Sequence, residues 1–434
     1  MGGVTIAAAP TLPPDLDGLR VDVDRLVSRL DALAEIGPLP GGGSSRLALT
    51  DHDRSGRDLV VTWMRDLGLD VGVDGIGNVF GIRPGRIDGA PVLTGSHIDT
   101  VASGGRFDGN LGVLAGLEVL ELLAGHDVVT DRPIGVAFFT NEEGARFSPD
   151  MMGSLVHVGG MALEEALDTV GIDGATVGAE LDRIGYRGAL PCPGPAPHAF
   201  VELHIEQGPV LERAGVTLGA VEGVQGISWQ ELTVHGQSNH AGTTPIALRR
   251  DAGLVVAETA AFVRRLAVEL GGDQVGTVGR IELQPNLVNV VAHTARCTVD
   301  LRNTDESTLQ EAERRVRAFV DGRAADNACT VEWRSLARFE PVAFDDAIVA
   351  MVEEEARALG HSIRRLPSGA GHDAQMLART CPTAMVFTPS RDGISHNPAE
   401  FTETADLRAG ADVLLRCLLR LATVAEGGEP WPAM

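Results

Sequence analysis

The 434-residue chain is poor in aromatic side chains, which make up 4% of it, with a single tyrosine and four tryptophans. A core for a chain of this length must therefore be built from Ala, Val, Leu and Ile. Apolar residues total 44%, an ordinary share for a globular protein. Positive charge is also scarce: 36 Lys and Arg face 60 Asp and Glu, a formal net charge of −24. That balance argues against nucleic acid and anionic membranes as partners, because both need a basic footprint. It leaves open the charge of a small ligand, since one or two local arginines can hold an anion. Cysteines number five (Cys192, Cys297, Cys329, Cys381 and Cys417), an odd count without a CxxC pair. A disulfide framework or a thiolate zinc site is thus not expected, and the thiols read as small buried apolar groups. No apolar stretch reaches membrane-spanning length. The first residues, Met1 to Pro14, lack the positive start of a secretory signal, so the expected location is the cytoplasm. Tandem repeats and low-complexity tails are missing as well.

What is present is alternation. Apolar residues at helical spacing over residues 23–34 predict a helix that Gly37, Pro38 and Pro40 end. A second helix is expected from Asp51 to Leu67. Gly41-Gly42-Gly43-Ser44-Ser45 has the look of a phosphate cradle but lacks the Gly-Lys-Ser/Thr ending, so it reads as a loop. Pro91–Ser96, Ile134–Thr140, Ala199–Leu203 and Ala384–Thr388 read as buried strands, with a helix at Leu111–Leu123. Strand, helix and strand at this spacing imply a parallel sheet. Residues 222–338 differ. Strands at 228–235, 275–283, 289–301 and 328–335 interleave with helices at 246–267 and 305–321, a β-α-β-β-α-β order. The expected fold is therefore α/β, a mixed and mostly parallel sheet flanked by helices. A ferredoxin-like α+β domain at 222–338 is inserted between a first part at 1–221 and a second at 339–434.

Polar clusters sit at the expected strand ends: Ser96-His97-Ile98-Asp99, Asn141-Glu142-Glu143, His204-Ile205-Glu206-Gln207 and Ser395-His396-Asn397, with Arg106-Phe107-Asp108-Gly109-Asn110 opening a helix. In open α/β sheets, ligands bind beyond the carboxyl ends of strands. A lone histidine after a strand is ordinarily a hydrogen-bonded or capping residue. Five groups at five such ends, His97, Asp108, Glu143, His204 and His396, suit two divalent ions sharing one carboxylate. Asp99, two residues past His97 on an extended chain, is placed to accept that imidazole's other N–H. Glu142 and Glu143 are adjacent and point to opposite sides, so one can bind metal while the other faces a nucleophilic water.

Together, GSHIDT, GRFDGN, TNEEGARF, HIEQGPVLE, GQSNHAGTTP, SGAGHDA and GISHNPAE resemble the M20 metallopeptidase superfamily, over about residues 25–415. HIEQGPVLE and GISHNPAE point to its hydantoinase/carbamoylase branch: N-carbamoyl-L-amino-acid hydrolases, β-ureidopropionases and allantoate amidohydrolases. The resemblance implies two divalent ions per subunit, zinc or manganese, with nickel or cobalt as substitutes. It implies His97 and His204 as ligands capping opposite sides of the site, Asp108 as the bridge, and Glu143 and His396 completing the shells. Glu142 is then the general base and later the acid. The inserted domain becomes a lid through which a homodimer forms, and His240 of GQSNHAG reaches the partner subunit's site. Asn289 and Arg302 match the pair that holds a substrate carboxylate. Gln207 lines the pocket, and the Ser368–His372 loop offers N–H groups, notably at Gly371. Unaided by the resemblance, Arg302 is a rim charge and His240 a solvated imidazole. The sequence departs at Val290-Val291-Ala292-His293, where many relatives carry Pro after the valines.

The expected activity is hydrolysis of N-carbamoyl-L-amino acids to the amino acid, carbon dioxide and ammonia. Allantoate, ureidoglycolate and β-ureidopropionate remain alternative substrates. A dipeptidase or deacylase of the wider superfamily, or a non-catalytic binding protein on the same fold, are the more distant alternatives.

Overall fold

The computed structural model describes residues 16–424. The expectation for Met1 to Pro14 lies outside them. The described chain forms two compact units: one runs through Glu222 and resumes at Ala343, and the other is Gly223–Val342. In chain order the strands are β1 (Asp70–Val73), β2 (Val79–Arg83), β3 (Val92–His97), β4 (Ile134–Phe139), β5 (Ala199–Ile205), β6 (Leu218–Val224), β7 (Gly226–His235), β8 (Val275–Gln284), β9 (Thr294–Asn303), β10 (Thr330–Phe339), β11 (Val342–Ala343), β12 (Ile363–Ser368) and β13 (Thr383–Thr388).

The first unit is built on a mixed sheet whose path begins β1-β2-β4-β3-β5-β13-β6. Its centre, β4-β3-β5-β13, is parallel throughout. All residues of those strands are buried, which is why they read as unbroken apolar runs. The parallel part is narrower than expected, because β1 and β2 add on one side and β6 on the other in antiparallel register. Strands missing from the sequence reading include β1, β2 and β12, which are short or interrupted, and β6, which is largely buried but whose pattern is broken by Gly219, Glu222 and Gly223. Asp70–Val73 and Val79–Arg83 each contain a glycine, and Ile363–Ser368 carries two arginines and a proline. The helix Asn110–Gly125 packs on β3, β4 and β5 and is buried almost all round, as its Leu-, Val- and Gly-rich sequence requires. The triple-glycine segment is indeed a loop: a Cβ on Gly43 would sit 2.1 Å from the Gly104 carbonyl oxygen, so the chain itself occupies the cradle.

The second unit has the strand order β10-β7-β9-β8, antiparallel at every pairing, with helices Ala252–Leu270 and Glu306–Asp326 on it. That is the ferredoxin-like arrangement of a β-α-β-β-α-β chain. Leu232, Val234, Val256, Leu301, Val316 and Val320 lie in its core. Two boundaries differ from expectation. The first helix begins at Ala252 rather than 246, because Pro245 opens a single 3₁₀ turn and Asp251 then caps the helix by accepting the Leu254 N–H. The strand expected from 289 begins at Thr294, since Asn289–His293 forms a loop against residues 236–241. Among the described residues no helix is long and apolar enough to cross a membrane.

Candidate metal centre

His97 is the last residue of β3, Glu142 and Glu143 follow β4, His204 is the last but one of β5, and His396 lies in the segment after β13. Because these strands are parallel, all four positions emerge at one edge of the sheet. Asp108 joins them from the turn before the helix Asn110–Gly125. That turn demands glycine at 109, where φ is +66° and a Cβ would lie about 2.4 Å from the His97 ring.

Two donor groups result, and they share Asp108. The first is His97, Asp108 and His204, with the two imidazole Nε2 atoms 3.7 and 3.3 Å from Asp108 Oδ1. The second is Asp108, Glu143 and His396, with His396 Nε2 3.4 Å from Asp108 Oδ2 and 3.3 Å from Glu143 Oε2. The resemblance put His97 and His204 on opposite sides of the site; here both face the same oxygen of Asp108. Glu142 stands apart from both groups, its Oε2 3.4 Å from His97 Nε2.

The donor set fits metal. These separations exceed the 2.7–3.2 Å of a good hydrogen bond. They match the roughly 3.3 Å expected between two atoms each about 2.0 Å from one tetrahedral ion. Tautomers fit as well. His97 Nδ1 donates to the Asp99 carbonyl at 2.9 Å and His204 Nδ1 to the Ile205 carbonyl at 2.8 Å. A carbonyl only accepts, so in each neutral ring Nε2 keeps the lone pair that a metal needs. This corrects the part expected of Asp99. Its main-chain oxygen orients His97, while its carboxylate, 4.0 Å from Nδ1, accepts the N–H groups of Glu142 and Glu143 at 3.2 and 3.3 Å. The two residues after β4 turn toward the site, and Asp99 holds that turn.

Charge is concentrated here. Burial pushes Asp108 upward, but His204, His396 and His97 outweigh it and hold the carboxyl well below its usual range. Burial lowers His97 and His204, yet Glu142 and Asp108 raise the first well above the ordinary imidazole value, and Asp108 and Glu202 raise the second. His396 is raised to about 9 by its hydrogen bond to Asp108. Burial lifts Glu143 to about 8, with Asp108 adding to it. Burial also raises Glu142 well above a normal carboxyl; His97 opposes this, and Asp373, Glu143 and Asp99 reinforce it. The cluster holds more acid than base and gathers protons where cations would sit.

A third group, Glu202, His204 and His372, is also close enough for a metal. Its carboxylate is already engaged, by Ser96 Oγ at 2.6 Å and the Ala374 N–H at 2.9 Å, and His372 Nε2 pairs with Ser368 Oγ at 2.8 Å. This group buttresses His204. Gln207, expected in the substrate pocket, turns its amide to Asp108 Oδ2 at 2.8 Å. At Gly371 a Cβ would come 2.8 Å from Met151 Cε, so a side chain there would require the Met151 thioether to shift. Asn141, Gln207 and His396 all adopt left-handed backbone, with φ of +56°, +57° and +53°. Strain of that kind persists where surrounding contacts over-determine it.

The inserted unit contributes separately. His240 is exposed, and its Nδ1 accepts the Gly242 and Thr243 N–H groups at 3.1 and 3.2 Å. Asn289 lies beside it: the Ala241 N–H bonds the Asn289 carbonyl at 2.9 Å. Arg302 is at the other end of β9. Its fork grips Asp300 at 3.1 and 3.0 Å, and its guanidinium lies 5.7 Å from the Trp229 ring centre. Thr294 pairs with His235 and Arg302 with Ile227, so Arg302 is about 27 Å along the strand from the His240 end.

Sequence reading missed the residues that hold the ligands. Arg46 is fully buried and reaches the Ile98 carbonyl at 2.7 Å and Asn110 Oδ1 at 2.9 Å, tying together the chain beside His97 and beside Asp108. Nothing in its local sequence marks it. Ser395 and Glu400 contact Asp108, and their only signal was membership of the GISHNPAE stretch.

The pattern of peptidase family M20/M25/M40 matches residues 93–420. An N-carbamoyl-L-amino-acid amidohydrolase of Rhizobium meliloti is 41% identical over 410 residues, covering 94% of this chain and 98% of the relative. An allantoate amidohydrolase of Bacillus subtilis is 33% identical over 399 residues, covering 91% and 96%. The crystal structure of an amidase of the hydantoinase/carbamoylase family from Burkholderia multivorans superposes with a TM-score of 0.89 at 46% identity, covering 92% of this chain and 98% of that one. With the histidine and carboxylate set in place at the sheet edge, the chain belongs to the M20 family, in its hydantoinase/carbamoylase branch.

Proposed function

We propose that this protein hydrolyses N-carbamoyl-L-amino acids, using two divalent ions held by His97, Asp108 and His204 and by Asp108, Glu143 and His396. The observation that carries the reading is the pair of donor groups sharing Asp108, with Glu142 beside them and outside both. When bound, the ions would polarise the ureido carbonyl and make a water nucleophilic near neutral pH. Glu142 takes the proton of that water and delivers it to the departing nitrogen, a task suited to a buried carboxyl of raised affinity for protons. One water and R–NH–CO–NH₂ thus yield R–NH₂, carbon dioxide and ammonia. Arg302 recognises the substrate carboxylate with the same fork that now pairs Asp300. Asn289 of the partner subunit adds a hydrogen bond to that carboxylate, and His240 of the partner subunit and the Gly371 N–H stabilise negative charge developing on the carbonyl oxygen.

A small ureido acid cannot touch both ends of the inserted unit's sheet from one subunit, given the about 27 Å between Arg302 and the His240 end. That separation supports a homodimer in which the two ends serve different sites. The test of function is ammonia release from a panel of carbamoyl-L-amino acids, allantoate and ureidoglycolate, each with zinc, manganese, nickel or cobalt. Allantoate is the second reading, on the strength of the Bacillus subtilis relative. Turnover of dipeptides alone, or of nothing while metals bind, would remove both.

A further inference from the structure

Glu400 lies four residues past His396 and is 4% exposed. Nothing in the proposed reaction uses it. Its Oε1 accepts the main-chain N–H of Phe107 at 2.9 Å and of Asp108 at 3.1 Å. Its Oε2 lies 3.0 Å from Ser395 Oγ, and that hydroxyl lies 2.9 Å from Asp108 Oδ2. The chain closes tightly on this carboxylate: a Cβ on Gly105 would come 2.1 Å from Oε1. One side chain therefore joins the turn that carries Asp108 to the segment that carries His396.

The segment needs a brace. The His396 side chain is 49% exposed, whereas those of His97 and His204 are 2% and 1%. Those two sit on central strands, while His396 sits in a loop with left-handed backbone, a conformation disfavoured for a residue with a Cβ. Without support, an arriving ion would have to order this loop itself.

We propose that Glu400 is a positioning residue that clamps the Asp108 turn to the His396 segment, so that the group Asp108, Glu143 and His396 is assembled before its ion arrives. The clamp rests on the di-metal reading. Hydrogen bonds from main-chain N–H groups to a carboxylate are charge-assisted and directional. Partners of this kind, one step behind the ligands, typically account for 10–100-fold in metal affinity. A merely structural Glu400 would lower the stability of metal-free protein and weaken both ions alike. A clamp weakens the two ions unequally: the first keeps His97 and His204 on strands that Glu400 does not touch and loses only the bracing of the shared Asp108, whereas the second loses the bracing of Asp108 and of the His396 segment together.

The experiment is calorimetric titration of metal-stripped protein with Mn²⁺ alone, and separately with Zn²⁺ alone, alongside thermal midpoints of the metal-free forms. Wild type takes up two ions. Glu400→Ala weakens the second by roughly 10–100-fold and the first by much less. Glu400→Gln largely restores the second, because an amide oxygen still accepts both N–H groups and the NH₂ donates to Ser395. Ser395→Ala, which cuts the link and leaves Glu400 on the two amides, weakens the second ion several-fold by the same logic. Wild-type affinity for both ions in Glu400→Ala, or equal weakening of both in step with a lowered midpoint, overturns the clamp. If Glu400→Ala does not fold, Ser395→Ala decides, and wild-type affinity for the second ion there overturns it. Wild-type protein that takes up fewer than two ions overturns the di-metal reading itself, and the clamp with it.

Discussion

The two units place their functional groups by opposite means. In the first, His97 and His204 lie at the ends of fully buried parallel strands, and each has its Nδ1 engaged by a main-chain carbonyl. In the inserted unit, His240 and Asn289 sit on exposed loops at one end of an antiparallel sheet, and Arg302 is at the other end. The difference teaches where preorganisation is needed. Several charged or lone-pair groups must be held within reach of a small ion before it binds, and only a packed core does that against their mutual repulsion. A group that meets the substrate later needs only a stable loop and a way to arrive.

The sharpest way to break this comparison is to remove the carboxylate that both donor groups share. Asp108→Ala is expected to lose both ions on dialysis and to lower ammonia release by roughly 10³-fold or more, since the ions supply the nucleophile. Metal content by mass spectrometry and turnover check it. Near-wild-type values of either would show that the groups do not share Asp108.

The neighbouring glutamates sharpen it within the first unit. Glu142→Gln keeps both ions and loses roughly 10²-fold or more in kcat, because a proton carrier is gone but no ligand is. Glu143→Gln instead loses the ion it shares with His396. Equal metal loss in both variants would end the division of labour.

Acidity should act on the same group of ligands. His396 and Glu143 are raised to about 9 and about 8, so in metal-free protein both hold protons at neutral pH. An ion must expel those protons, and acid therefore favours the competitor. Affinity for this ion should fall as pH falls, by about 10–100-fold from pH 7 to pH 6 for one or two protons released. Titrations at both pH values, in two buffers of different ionisation enthalpy, measure the affinity and the protons together. A pH-independent affinity would remove these two residues from the ligand set.

The smallest effect belongs to the inserted unit. Arg302→Lys keeps the charge and loses the planar fork, so KM for carboxylate substrates should rise by roughly tenfold with metal content unchanged. The homodimer is tested by mixing inactive His240→Ala and Glu142→Gln subunits. If His240 serves the partner's site, one site of a mixed dimer is whole, and activity returns to up to roughly a quarter of wild type per subunit for random pairing. Mixed dimers that form and stay inactive would place His240 within its own subunit, or outside the reaction.

Legibility followed burial. The central strands β3, β4, β5 and β13 announce themselves because both faces are covered and their residues are mostly apolar or small, His97, Glu202 and His204 excepted. β1, β2 and β12 do not, because short strands toward the sides of the sheet, less fully covered than its centre, tolerate glycine, arginine and proline, and their pairing comes from the neighbour rather than from their own pattern. The ligands were legible because imidazoles and carboxylates at successive strand ends are rare together. Their supports were not: Arg46 is far from Ile98 and Asn110 in sequence, and a buried arginine looks like a surface one until its partners are seen.

By itself, the sequence determined the central strands and helices, the inserted unit, and five side chains of metal-binding type at neighbouring element ends, because local periodicity and residue chemistry need no long-range information. Only the tertiary structure decided which imidazoles face the same oxygen of Asp108, that the Asp99 main-chain oxygen and not its carboxylate orients His97, that Glu400 bridges the Asp108 turn and the His396 segment, and that Arg302 and His240 lie at opposite ends of one sheet. Those are facts of register and chain crossing. They are set when residues far apart in sequence are brought within hydrogen-bond distance by the packing of the core.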